Sequence, residues 1–294
     1  MSTVYLNSLK FAGQHVASYG GLTVLIFGLL GGALNLLIFL TLRTFRQSSS
    51  AFYLIIMTIF NIGQLLVGLL TRTLTFINPN NSYDNSIFYC KLRLYSSHVC
   101  VMTSLTCFCL ATIDQYCGTS SYQKLRRMCR IKTAAMLVSL GCIFWILHGI
   151  PYIIFSQPNQ SSNSSAVQCI IINNIYSQYR SYVYLLVLSG FLPLSIIIVF
   201  GLMALRNIKN MLHYTVPLIR QELDKQITRM ILTQVIACIL SLLPYAIASI
   251  LSKIVQSSNS SALVQAQADL NLQVTLIIYY LYFAVSSFTM ILQI

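Results

Sequence analysis

Seven long apolar runs divide the chain, at roughly 21–42, 52–77, 92–116, 133–156, 181–205, 229–252 and 272–294. Each holds about 20 or more mostly uncharged residues, enough to cross the ~30 Å hydrocarbon layer of a bilayer as a helix. The pattern predicts an all-α membrane protein built as a seven-transmembrane helix bundle over residues 21–294, preceded by a short N-tail, residues 1–20. That tail is too polar for the apolar stretch of a signal peptide, with Lys10 and His15 scattered through it. The first run is therefore expected to direct insertion itself.

The six gaps between the runs sort by chemistry. Gap one carries Arg43 and Arg46; gap three Lys124, Arg126, Arg127, Arg130 and Lys132; gap five Arg206, Lys209, Arg220, Lys225 and Arg229. The opposite side, counting the outer ends of the runs, holds Lys10, Arg72, Lys91, Arg93, Arg180 and Lys253. Lys and Arg are retained on the cytoplasmic face, so the odd gaps are expected inside and the N-terminus outside. All four N-x-S sequons, at Asn80, Asn159, Asn163 and Asn259, fall in the even gaps, where lumenal glycosylation would occur. Both signals give an outside N-terminus and an inside C-terminus.

Composition supports one membrane domain. Hydrophobic residues make up 56% and charged residues 8%, against about 25% charged in a soluble domain. The net charge of +13 does not imply a nucleic-acid partner, because the cations are distributed over short loops with a side preference. Of nine cysteines, only Cys90 and Cys169 fall on the expected extracellular side, the oxidising one, so one disulfide is expected between them. It would tie the top of the third span to the loop between spans four and five.

Few polar groups lie inside the runs. Asn35, Asn61 and Ser104 are candidates for an interhelical polar cluster, or each satisfies itself locally. Asp114 ends span three on the cytoplasmic side, where an ionisable group is functional or snorkels to the interface. Pro193 and Pro244 sit within spans five and six and predict kinks, either hinges or plain architectural bends. Lys225 and Arg229, four apart, share a face of a helix that extends span six into the cytosol. They form a partner-binding face or a solvated helix end.

No catalytic or cofactor motif emerges: there is no HExxH, no P-loop and no pair of intramembrane acids. His15, His98, His148 and His213 are scattered and make poor metal ligands. Span seven has no lysine for a retinal Schiff base. The chain is not expected to be an enzyme, nor to bind a metal or cofactor.

Together these marks resemble the rhodopsin-like (class A) G-protein-coupled receptors, with an invertebrate neuropeptide or orphan flavour, over nearly the whole chain. Asn35, in Gly31-Gly32-Ala33-Leu34-Asn35, matches the family's helix-one asparagine. Cys90 precedes Asp114 at the family's spacing between the helix-three cysteine and the Asp-Arg-Tyr triplet. Trp145, Pro193 and Pro244 fit the marks of helices four, five and six. The resemblance implies a multi-pass plasma-membrane receptor that passes an extracellular signal to a heterotrimeric G protein. Asp114, Gln115, Tyr116, Lys225 and Arg229 would then lie at the inner, G-protein-facing end.

The departures are specific. The triplet reads Asp114-Gln115-Tyr116, so the arginine that pairs with the acid at rest is missing. Glutamine offers at best a neutral hydrogen bond, about half as strong, which loosens the resting lock. Asp114 has Arg126 or Lys124 as alternative partners. Asn61 replaces the acid that binds sodium together with the serine matched by Ser104, Leu242 replaces a tryptophan, and Ser286 to Met290 stands where Asn-Pro-x-x-Tyr is usual. No amphipathic eighth helix precedes Ile294, from which a truncated product or a fragment is expected.

Ser97 occupies the place of the amine-anchoring Asp of amine receptors, so a peptide is favoured over an amine. Lys91, Arg93 and Arg180 make the mouth basic, either for anionic ligand groups or for anchoring to membrane lipid headgroups. Two alternatives stay open: a receptor relic that folds without signalling, and a transporter or channel. The second lacks the midplane ionisable groups and internal repeats usual for that class.

Overall fold

The computed structural model describes residues 2–41, 48–77, 86–160, 167–211, 218–258 and 261–291. Seven helical rods correspond to the seven apolar runs. The first, α1, joins Ser2–His15, a π-helical turn Val16–Gly20 and Gly21–Thr41 without a break. α2 joins Ser49–Gln64, a second π segment Leu65–Leu70 and Thr71–Ile77; α3 is Ile87–Thr119. α4 is Ile131–His148 continued by Ile150–Phe155. α5 runs through Asn174–Tyr179, Arg180–Phe191 and Leu192–Met211, α6 is Leu218–Ser257 and α7 is Ala262–Ile291. The first six are long and apolar enough to cross a membrane, and α7 at 30 residues has ample length.

The N-tail is helical from Ser2 and continuous with the first span. The apolar helix Val4–Thr41 spans 38 residues, about 57 Å at 1.5 Å per residue, nearly twice the hydrocarbon thickness. Its first turns therefore run past one face of the layer and pack on α7. A Cβ on Gly13 would come within 2.7 Å of Gln273 Oε1, and Lys10 lies within electrostatic reach of Asp269.

Local chemistry sets the breaks. Ser48 starts α2 in extended backbone and its side chain accepts from the Ala51 N–H, satisfying an end donor. Asn173 does the same for α5, accepting from the Tyr176 N–H at 3.0 Å. α4 is interrupted at Gly149, just before Pro151, which cannot donate to the preceding turn. Gly149 also lets α3 approach closely, since a Cβ there would meet the Tyr95 ring at 2.8 Å.

Between α4 and α5 lies an antiparallel hairpin, β1 (Ser156–Gln160) and β2 (Val167–Ile171), with Pro158 opposite Cys169. Cys169 is disulfide-bonded to Cys90 near the start of α3, with Cα atoms 5.6 Å apart. The other seven cysteines carry no disulfide.

Burial ranks the rods. In α3, 61% of the apolar window is buried, against 22% in α4, so α3 is the axis and α4 the outermost member. The core contains Phe39, Leu54, Met57, Phe108, Ile197, Cys238, Tyr282 and Phe283. Ile26, Phe27, Leu30, Leu34 and Leu37 of α1 are about half exposed or more and form a lipid-facing stripe. Lipid is as apolar as these side chains, so helices associate through close packing and hydrogen bonds rather than water exclusion. Gly28 illustrates the packing: a Cβ there would reach 2.6 Å from Leu65 and 3.0 Å from Ala284.

Candidate functional site

One end of the bundle opens into a cavity of ≈ 240 Å³ between α2, α3, α5, α6 and α7. Four cations line it, Arg72, Arg93, Arg180 and Lys253, and no carboxylate among the described residues does. Its remaining wall is largely hydroxyl and ring, including Tyr184, Tyr245, Tyr279 and Tyr280. Of the basic residues expected at this mouth, Arg93 and Arg180 line the cavity and Lys91 does not. Arg72 and Lys253, which the charge bias alone does not place at the mouth, complete the set.

Helical spacing aims these groups inward. On α2, Gln64, Gly68 and Arg72 are four apart; on α3, Arg93, Ser97 and Val101; on α6, Tyr245, Ser249 and Lys253; on α5, Arg180 and Tyr184. Residues four apart stack on one helix face. Ser97 Oγ donates to Gln64 Oε1 at 2.9 Å, tying α3 to α2. Lys253 Nζ donates to the Ser177 carbonyl at 3.2 Å and to the Ser181 hydroxyl, tying α6 to α5. The Arg180 guanidinium sits 5.9 Å from the centre of the Tyr152 ring, within cation–π range.

Beside the cavity the structure corrects the reading of the histidines as scattered. His148 Nδ1 lies 3.1 Å from His98 Nε2, and His148 Nε2 lies 2.8 Å from the Tyr179 hydroxyl. The chain joins α4 to α3 and α5. His98 is 3% exposed, wedged among Tyr152, Tyr184 and Trp145. Its Nδ1 has no partner among the described residues. No group of three or more metal-ligating side chains occurs among the described residues.

Midway along the bundle, Ser104 Oγ donates to Asn61 Oδ1. Asn35 Nδ2 donates to Thr58 Oγ1 at 3.3 Å, one turn of α2 away from Asn61. The three expected residues are all buried, and these bonds form two pairs on neighbouring turns of α2, Asn35 with Thr58 and Ser104 with Asn61. Trp145 Nε1 donates to Thr106 Oγ1 at 2.8 Å. The Pro193 carbonyl accepts from Cys109 Sγ at 3.9 Å, at the junction of the π and α parts of α5. Pro244 lies inside an unbroken α6, with Leu242 buried two residues before it.

At the far end of α3, Asp114 pairs with neither Arg126 nor Lys124. It accepts from Ser49 Oγ at 2.7 Å and from Ser50 Oγ, both in the first turn of α2. Arg126 instead donates to the Ser121 carbonyl at 3.3 Å. The geometric reason is that α2 brings two hydroxyls and its helix N-terminus directly to the carboxylate, which both favour. Gln115 is 3% exposed and points away from solvent, with its Nε2 unpartnered among the described residues. Tyr116 packs on Phe200, ring centres 5.5 Å apart, and its carbonyl accepts from Asn207 Nδ2 at 3.4 Å. Arg229 is exposed at the same end of α6. The Lys225 side chain lies outside the described residues, as do Asn80, Asn163 and Asn259; Asn159 is exposed on β1.

Comparison with known proteins follows the same lines. Residues 33–289 match the family model described as 7 transmembrane receptor (rhodopsin family), which covers most of the chain. No curated protein matches it.

Proposed function

We propose that this chain, which belongs to the rhodopsin family of seven-transmembrane receptors, transduces an extracellular ligand to a heterotrimeric G protein. The family is one of multi-pass plasma-membrane signalling receptors rather than enzymes. The orientation follows the cation bias and the sequons, with the cavity end and Asn159 outside and Asp114 inside. The ligand is a peptide with an acidic group in preference to an amine. One observation carries this reading: the only charged side chains lining the cavity, among the described residues, are four cations. An ammonium group would find repulsion there and no anchor.

Transmission works by population shift. Ser97 at the cavity and Asp114 at the inner end lie on one rod, separated by about 25 Å of helix. A ligand that binds one bundle arrangement more tightly biases α5 and α6, each of which carries a proline below the cavity (Pro193 and Pro244). The resting arrangement is held on the inner side by Asp114 and the two α2 serines, a hydroxyl lock in place of an arginine. Opening it would expose Gln115 and Tyr116, with Lys225 and Arg229 beside them, to the G protein.

The test is guanine-nucleotide exchange on G proteins in membranes bearing the receptor, challenged with a broad panel of acidic and C-terminally free peptides. Exchange above the ligand-free level supports the reading, and none across the panel counts against coupling. A second reading, a folded receptor that does not couple, is favoured by the neutral Gln115. Gln115→Arg separates the two: a gain of basal exchange only in the variant identifies the relic.

A further inference from the structure

We infer that Arg180 and Lys253 form an oxyanion subsite, taking the carboxylate or phosphate head of the activating ligand between α5 and α6. The inference rests on the receptor reading above and names the chemistry of its ligand.

The two cations belong to adjacent rods and face one cavity, close enough for each to feel the other's charge. Their direct partners are neutral: Lys253 is held by the Ser177 carbonyl and the Ser177 and Ser181 hydroxyls, and Arg180 lies against the Tyr152 ring; the other charged groups of the cavity, Arg72 and Arg93, are cations too. Two like charges at the edge of a low-dielectric bundle carry a desolvation and repulsion cost that a counter-ion relieves. The chain has five acidic residues in all. Asp114 sits at the opposite end with the α2 serines, Asp269 lies near Lys10, and Glu222 and Asp224 are about eight turns away along α6. The fifth, Asp84, lies outside the described residues. Among the described residues, then, the protein supplies no carboxylate to this cavity, and an external anion is the neutralising charge we assign to it.

The surroundings also fit the shape of an oxyanion. An arginine fork and a lysine point charge supply donors in different directions, with the Ser181, Ser249 and Tyr245 hydroxyls lining the same wall. Tyr184 and Tyr279 offer ring surface for an apolar or aromatic body behind the head. At ≈ 240 Å³ the cavity lies below the usual 300–1,000 Å³ of ligand sites, so a small anion or the terminal residue of a peptide fills it. Because the two cations lie on α5 and α6, a bound anion offsets their repulsion and draws the outer ends of these rods together.

The experiment uses the full chain in nanodiscs, with benzoate and phenyl phosphate as probes and benzamide and benzylamine as uncharged and cationic counterparts. Thermal unfolding followed with a thiol-reactive dye should rise saturably by about 3 °C or more with either anion. Arg180→Gln and Lys253→Met should each weaken the apparent affinity about tenfold to a hundredfold. Lys253→Arg keeps the charge and should retain binding, which separates loss of the site from loss of the fold. Discs of neutral phosphatidylcholine and discs with added phosphatidylglycerol distinguish a soluble anion from a lipid headgroup. A soluble source shows its stabilisation in the neutral discs. A headgroup source shows it in the anionic discs without probe, and through the same two cations. The inference is overturned if benzamide or benzylamine stabilises as well as benzoate, if the two substitutions leave the effect unchanged, or if no anion acts in either disc. Nucleotide exchange is measured separately, so anion binding without exchange sinks the coupling and leaves the subsite standing.

Discussion

Asp114 offers the sharpest test of the inner end. Its carboxylate accepts from Ser49 Oγ at 2.7 Å and from Ser50 Oγ, while both serines are nearly buried at 7% and 4% exposure. A hydrogen bond to a charged group contributes about 1.5–3 kcal/mol net. Asp114 itself is only partly buried, so water replaces some of a lost partner and the low end applies. Ser50→Ala should therefore destabilise by about 1.5 kcal/mol, and the Ser49→Ala/Ser50→Ala pair by about 3 kcal/mol. At about 2–4 °C per kcal/mol for a chain of this size, the pair should lower Tm by about 6–12 °C. A thiol-reactive dye reads this directly, since Cys107, Cys109 and Cys238 are buried until the bundle opens. The serines are argued to act through the carboxylate, so the same substitutions in an Asp114→Ala background should cost less than about 0.5 kcal/mol. If Ser50→Ala costs as much with Asp114 gone as with it present, the lock does not exist. If the pair leaves Tm unmoved, the hydroxyls contribute nothing and the resting arrangement is held elsewhere.

Other consequences are quicker to state. Gly28→Val places methyls where a Cβ alone already meets Leu65 at 2.6 Å and Ala284 at 3.0 Å; overpacking should cost about 1–3 kcal/mol, read as lost Tm in the same dye assay. Cys90→Ala or Cys169→Ala releases the hairpin from α3 and should cost about 2–4 kcal/mol, with reductant lowering Tm of the parent but not of the variants. His148→Phe leaves His98 Nε2 without its partner in a site where Nδ1 already has none. A cost of about 1–3 kcal/mol is expected, whereas an unchanged Tm would show that the His98–His148–Tyr179 chain is not formed. Asn159→Gln should remove one glycosidase-sensitive step in gel mobility if the hairpin faces the lumen, and an unglycosylated parent at all four sequons would leave the orientation resting on the cation bias alone.

The seven rods were legible because a bilayer demands length and apolarity together, and 20-residue runs leave a strong trace. Their ends were less legible, since polar residues continue a helix once it has left the hydrocarbon. Thus α1 begins at Ser2 rather than near 21, whereas the extension of span six into the cytosol, signalled by Lys225 and Arg229, is present as α6 from Leu218. The histidine pair was hidden for a different reason. His98 and His148 are 50 residues apart on two different rods, and no pattern within one helix announces a meeting between two. The partners of Asp114 were obscured by charge: Arg126 and Lys124 drew attention as cations, while Ser49 and Ser50, ordinary residues at a helix start, do the holding. The cavity was half visible. Its cations stood out singly, but the deeper signal is a repeated spacing, a cation four residues from a small or hydroxyl residue on each of α2, α3 and α6. Arg72 over Gly68, Arg93 before Ser97 and Lys253 over Ser249 each put charge at the rim and a small side chain one turn deeper. A cation merely snorkelling to headgroups needs no such neighbour, and would turn toward lipid rather than toward its counterparts on other rods. That three helices share the arrangement and face one space argues that the charge is arranged for a ligand, and the subsite of Arg180 and Lys253 is where that argument is open to measurement.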